Sequence, residues 1–150
     1  MDFIKKIFYQ IPKPVFLFIV GGFAYNIVEL LFRGYTFPSM FILGGLCFVL
    51  IGGINEYYPW TMPLPIQMLI STIIVTSLEF IFGVILNIWL GLGIWDYSNL
   101  PFNLLGQISL IFSIAWFFLS LVAIILDDVL RWVLYNEEKP HYYIWFHKRE

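Results

Sequence analysis

The stretch IQMLISTIIVTSLEFIFGVILNIWL, from Ile66 to Leu90, holds one charged residue, Glu79, in a run of aliphatic, aromatic and small polar side chains. A helix needs about 20 largely apolar residues to cross a hydrocarbon core about 30 Å thick. This run is long enough to do so. Three more apolar runs extend from about Val15 to Phe32, Phe37 to Ile54 and Leu104 to Leu126. The first and last are of spanning length. The second is marginal: Pro38 suits a first helical turn, and glycines punctuate the rest of the run. The chain therefore reads as an all-α integral membrane protein, a four-span transmembrane helical bundle.

Composition agrees. Of the 150 residues, 61% are hydrophobic and 12% charged, and mean hydropathy is +0.86. Soluble domains carry roughly 45–50% apolar and about 25% charged residues, so too little polar surface exists here to wrap a core in water. A net charge of −2 with no basic stripe argues against a nucleic-acid partner. Cys47 is the single cysteine and both histidines, His141 and His147, fall in the polar tail. No disulfide, cysteine-based zinc cluster or histidine metal motif is expected in the apolar body, and no cofactor. No phosphate-binding Gly-x-x-x-x-Gly-Lys-Ser/Thr loop occurs, so any ATPase would be a separate subunit.

Residues 1–14 place Phe3, Ile4, Ile7, Phe8 and Ile11 on one helical face with lysines beside it, and Pro12 and Pro14 end the piece. This predicts an interfacial amphipathic N-terminal helix lying on the membrane. It is not a cleavable leader, because the apolar run behind it contains Glu29 and no small-x-small cleavage site. Residues 15–135 make the transmembrane domain, since the i, i+4 pair Asp127 and Arg131 carries span 4 on to about Tyr135. Residues 136–150 form an aromatic tail on the cytoplasmic side, broken by Pro140. Lys5, Lys6 and Lys13 precede span 1, while Arg131, Lys139, Lys148 and Arg149 follow span 4. The positive-inside rule then puts both termini in the cytoplasm.

A charged side chain in hydrocarbon costs about 2.5–3.5 kcal/mol on insertion scales and marks a functional position by default. Tyr25, Glu29 and Arg33 are spaced by four and share one face of span 1. Thr72, Thr76, Glu79, Gly83 and Asn87 share one face of span 3. Spans 1 and 3 run in parallel, so Glu29 and Glu79 reach similar depth in the outer half, and Glu29-Leu-Leu-Phe32 echoes Glu79-Phe-Ile-Phe82. Such an echo suggests a repeated two-span unit. The pattern predicts an outward-facing polar pocket between spans 1 and 3, made by Tyr25, Glu29, Arg33, Glu79 and Asn87, with Asp96 either lining its mouth or simply facing water. The plainer reading of Glu29 and Arg33 is a structural ion pair. Glu79, with no cation on its own helix, is neutral, paired with Arg33, or engaged with a ligand. Gly44, Gly45, Gly52 and Gly53 suit close helix packing, Cys47 is a small core residue, and Asn103 is a candidate N-cap for span 4.

Glu29 to Met40, Gly44 to Glu56, Glu79-Phe80 with Gly83 and Asn87, and Trp95-Asp-Tyr-Ser98 form an ordered set. Phe102-Asn103, Gly106-Gln107, Trp116 and Asp127-Asp128 extend it. Together they resemble the CmpB-like ABC transporter type IV membrane family over about residues 15–135. The resemblance implies a small multi-span protein of the bacterial inner membrane and reinforces Glu29, Arg33, Glu79, Asn87 and Asp96.

Three functions fit these residues. The first is a transport-type or ligand-binding component, permease-like and without an ATPase of its own. In it Arg33 holds a small anionic or zwitterionic ligand, such as a membrane lipid headgroup, and a carboxylate holds a cation or proton. A separate ATPase or other membrane subunit would then meet the loop carrying Glu56, Tyr57 and Trp60. The second is a structural or accessory subunit whose polar faces grip partner helices. The third is an intramembrane enzyme acting on lipid through paired carboxylates, for which no catalytic residue set is evident.

Overall fold

Proline sets the start of three of the four long helices. Pro14, Pro38 and Pro65 each occupy a first turn, where the missing N–H is one the helix could not have paired and φ is already helical. A computed structural model describes residues 2–146, and 69% of the described residues are helical. The elements are α1 (Asp2–Gln10), α2 (Lys13–Arg33), α3 (Pro38–Gly52), a short α4 (Ile54–Tyr57), α5 (Leu64–Gly83) and α6 (Leu110–Tyr135). Four helical stretches are long and apolar enough to cross a membrane: Lys13–Arg33, Pro38–Tyr57, Leu64–Trp89 and Leu110–Tyr135. The marginal second span reaches that length because α4 continues α3. The protein is a multi-pass membrane protein of the all-α class.

The two ends of the described chain lie at one end of the bundle, here called the termini end. There Lys13 pairs with Glu137, and the Leu64 N–H donates to the Tyr143 carbonyl at 2.7 Å. Helix α1 also sits at this end, with Phe8 edge-on to Phe16 at 4.7 Å and the Tyr9 hydroxyl donating to the Tyr135 carbonyl. Phe3, Ile4 and Ile7 of α1 stay exposed, the surface an interfacial helix would turn to lipid. Of the residues used to read orientation and metal content, His147, Lys148 and Arg149 lie outside the described residues.

Helices α2 and α3 meet backbone to backbone. A Cβ on Gly21 would stand 2.2 Å from Phe48 Cβ, and one on Gly44 would stand 2.3 Å from Tyr25 Cβ. The crossing exists because these two positions have no side chain, the usual basis of tight membrane helix packing. The α5–α6 hairpin is built differently. Its connection is an excursion from Leu90 to Ser109, in contrast to the short turn after Arg33, where Gly34 caps α2 at φ 77°.

Two features of that excursion depart from the sequence pattern. Span 4 does not begin at Leu104 with Asn103 as its cap. The helix starts at Leu110, and Ser109 caps it by accepting from the Phe112 N–H. Residues 103–109 form a small hairpin instead, β1 (Asn103–Leu104) against β2 (Ile108–Ser109). Leu105 and Gly106 turn it with φ of 53° and 70°, and the Asn103 side chain holds the turn, accepting from Gly106 N–H at 3.0 Å and donating to the Leu100 carbonyl. An asparagine two residues from a left-handed turn thus serves the turn rather than the helix. The second departure is a π-helical segment, Val84–Trp89, prolonging α5.

Charge is buried at the termini end. Asp127 is fully buried and bonds Arg131, which also reaches Glu56 at 3.0 Å. Asp128 accepts from Asn55 at 2.6 Å and from the Tyr142 hydroxyl at 2.7 Å. Burial, and then that bond to Asp128, pushes the Tyr142 phenol well above its ordinary value. The Asp127 carboxylate lies directly over Gly52, where an added Cβ would fall 2.2 Å from Oδ1.

Gly44→Leu and Gly52→Ala should therefore each cost about 1–3 kcal/mol, the range for overpacked interiors. Both should lower the midpoint of unfolding in mixed micelles. Gly53→Ala, whose added Cβ would meet nothing nearer than 3.3 Å, should leave the midpoint near wild type.

Candidate functional site

Spacing by four delivers Tyr25, Glu29 and Arg33 to one face of α2, as a helix requires. That face lines a chamber of about 260 Å³ at the end of the bundle away from the termini. Glu79 of α5, Trp95 and Tyr97 of the far loop, and Phe112 and Trp116 of α6 complete its walls. The opposite wall is thus α6, not α5: the expected pocket between spans 1 and 3 lies instead between α2 and α6, with α5 contributing Glu79. Helix α3 packs against α2, α5 and α6, and its Met40 also lines the chamber.

Arg33 ion-pairs with Glu29 and donates Nη1 to the Ile94 carbonyl at 2.8 Å. Its Nε is buried and has no hydrogen-bond partner among the described residues. Glu79 does not meet Arg33. Its carboxylate, in a residue only 2% exposed, accepts from the Tyr97 hydroxyl and from Trp116 Nε1, each at 3.1 Å. Burial, and then the neighbouring Glu79 charge, raise the Tyr97 phenol well above its ordinary range, so the hydroxyl remains a donor throughout the physiological range.

A second cavity of about 130 Å³ continues the chamber toward the middle of the bundle, lined by apolar side chains including Ala24, Cys47, Ile51, Ala123 and Leu126. Tyr25, Val28, Trp116 and Leu119 belong to both spaces. Tyr25 and Trp116 stack across the junction with ring centroids 5.6 Å apart and planes 22° from parallel. The two spaces lie end to end along a groove between α2 and α6 floored by α3, with the Tyr25–Trp116 pair standing between them. Phe32 on the polar part and Val122 on the apolar part are 80% and 63% exposed, so the groove opens sideways at the bundle surface.

Two expected members are elsewhere. Asn87, on the π-helical segment, donates to Gln107 Oε1 at 2.9 Å and accepts from the Ile94 N–H at 2.7 Å. It ties α5 to the far loop and lines neither part of the groove. Asp96 is exposed and accepts from the Ser98 N–H and hydroxyl, hydrogen bonds that hold its carboxyl below the usual value. In the termini-end loop, Glu56 pairs with Arg131 and Trp60 stacks on His141 at 5.0 Å. Tyr57, 88% exposed, faces outward.

Sequence reasoning missed Phe112, and it noted Tyr97 and Gln107 only within the family motifs, without a role in the site or the loop. Tyr97 had one usable signal, its place in a polar loop at the same level as an orphan carboxylate. Phe112 and Trp116, spaced i, i+4, share one face of α6, and the sequence alone does not say which face of that helix turns toward α2.

The chain matches the family described as "Putative ABC-transporter type IV" over residues 15–146. It belongs to this family of CmpB-type membrane proteins, a transport-related class. No curated protein and no solved structure matches it.

Asn87→Ala would leave the Ile94 N–H and the Gln107 amide oxygen without their partner. A lost buried partner costs about 1–3 kcal/mol, so amide exchange over residues 91–109 should speed up by at least tenfold. The α2–α3 crossing should exchange as in wild type.

Proposed function

We propose that this protein is the ligand-binding, permease-like component of a transport system, taking its ligand into the polar end of the groove between α2 and α6. The observation that carries the reading is the convergence of Glu29, Arg33 and Glu79 on one chamber inside a body otherwise built of apolar helices. Intramembrane charge of this kind faces a pathway or cavity far more often than lipid. The partly free guanidinium of Arg33 suits the anionic part of a small ligand, and the carboxylates suit a cation.

Membership of a transporter family supports the same reading. The orientation that fits it has both termini in the cytoplasm of a bacterial inner membrane, with the chamber toward the outside. An ATP-driven cycle would then need a separate ATPase on the termini side, where Tyr57 stands free of the charge network around Arg131. Tyr57, rather than Glu56 or Trp60, is the residue of that loop available for such a contact.

Native mass spectrometry of the detergent-purified protein tests the reading. Wild type should carry a retained lipid or metabolite, and Arg33→Ala should lose it by at least tenfold while unfolding at a similar midpoint. Loss of folded protein in Arg33→Ala would instead make Glu29–Arg33 a structural ion pair.

A further inference from the structure

The groove is longer than its polar chamber, and its two parts differ in chemistry. Along α2 the lining runs from Arg33 down to Gly21, about 18 Å at 1.5 Å per residue. That is close to the thickness of one leaflet of a 30 Å hydrocarbon core. The charged chamber lies at the helix end and the apolar part lies toward mid-bundle. A ligand that fills both has a polar end at the interface and a chain pointing to the bilayer centre, which is how a phospholipid stands in its leaflet. The sideways opening beside Phe32 and Val122 allows entry from lipid.

The chamber also selects among headgroups. It holds two carboxylates and one guanidinium, and that guanidinium is already engaged with Glu29. Among the described residues, the hydrogen-bond donors to Glu79 are the neutral groups of Tyr97 and Trp116, so its carboxyl group has no partner cation among them. Six aromatic rings line the same space: Tyr25, Phe32, Trp95, Tyr97, Phe112 and Trp116. Aromatic walls with an adjacent carboxylate are the means by which proteins hold ammonium groups, each cation–π contact contributing about 0.5–2 kcal/mol. Arg33 Nε is buried without a partner among the described residues, so the guanidinium has donor capacity to spare for a phosphate one linker away from the ammonium.

We infer that the groove binds a phospholipid with an ammonium-ended headgroup, the ammonium between Glu79 and the aromatic walls, the phosphate at Arg33, and one acyl chain along the cavity of Ala24, Cys47 and Ala123. This rests on the proposed ligand role of the chamber and names its ligand class. A free anion would use only Arg33 and leave the apolar part unfilled. An anionic headgroup without an amine would face the excess carboxylate.

The full chain, purified in mild detergent and equilibrated with equimolar phosphatidylethanolamine and phosphatidylglycerol, gives the test by native mass spectrometry. Wild type should retain phosphatidylethanolamine over phosphatidylglycerol by at least tenfold, a ratio that needs no variant to be informative. Glu79→Gln should abolish the preference, and Ala123→Phe, which fills the chain cavity, should cut retention of both lipids at least tenfold. Equal retention, or a preference that survives Glu79→Gln, overturns the ammonium assignment. Retention of phosphatidylglycerol alone, lost in Arg33→Ala, also overturns it but leaves the chamber a ligand site. No retention of either lipid, with unchanged behaviour of Ala123→Phe, overturns both.

Discussion

A carboxylate buried in an apolar body is costly unless donors within the protein bond it. Glu79 finds them on two different elements, the Tyr97 hydroxyl of the far loop and the indole N–H of Trp116 on α6. The three-way contact locks α5, α6 and the loop between them into one arrangement. Tyr97 then stacks on Phe112 at 4.6 Å and Trp116 stacks on Tyr25, so the same carboxylate fixes both aromatic walls of the groove. The groove is in this sense a consequence of burying one acidic side chain.

The floor has a separate origin. Gly21 and Gly44 let α2 and α3 approach until backbone meets backbone, and α3 then packs on both α5 and α6. Helix α2 is held to the rest chiefly through α3, which leaves a gap between α2 and α6 bridged by the Tyr25–Trp116 stack and, near the termini, by Phe16 against Tyr135. At that end Asp127, Arg131 and Glu56 form a second buried charge network, continued by Asp128, Asn55 and Tyr142. A polar cluster at each end of an apolar body divides the labour: one faces a cavity, while the other joins the tail to the helix ends.

The helices were legible because apolar length and proline position are local signals. Span 4 could be followed to Tyr135 from Asp127 and Arg131 alone, and the i, i+4 pairing of Glu29 with Arg33 needed only helical geometry. The partners of Glu79 were not legible. A helical face tells which way a side chain points, while Tyr97 and Trp116 come to it through the path of an irregular loop and the phase of another helix. Asn87 shows the same limit. Its place on the polar face of α5 suggested the pocket, but the π-helical turn around it changes the phase of the helix and directs the amide to Ile94 and Gln107. Asn103 misled for a different reason, since asparagine suits both helix caps and left-handed turns, and Gly106 decides in favour of the turn.

The central claim is that Glu79 and Trp116 act as one unit holding α5 to α6. A double-mutant cycle of Glu79→Gln and Trp116→Phe, read as unfolding free energy in mixed micelles, measures this directly. Groups in one hydrogen-bonded network couple by about 0.5–3 kcal/mol, and a hydrogen bond to a charged group contributes about 1.5–3 kcal/mol. The expected coupling is at least about 1 kcal/mol, with the double variant less destabilised than the sum of the singles. Additive losses, within the scatter expected of independent sites, would contradict the claim.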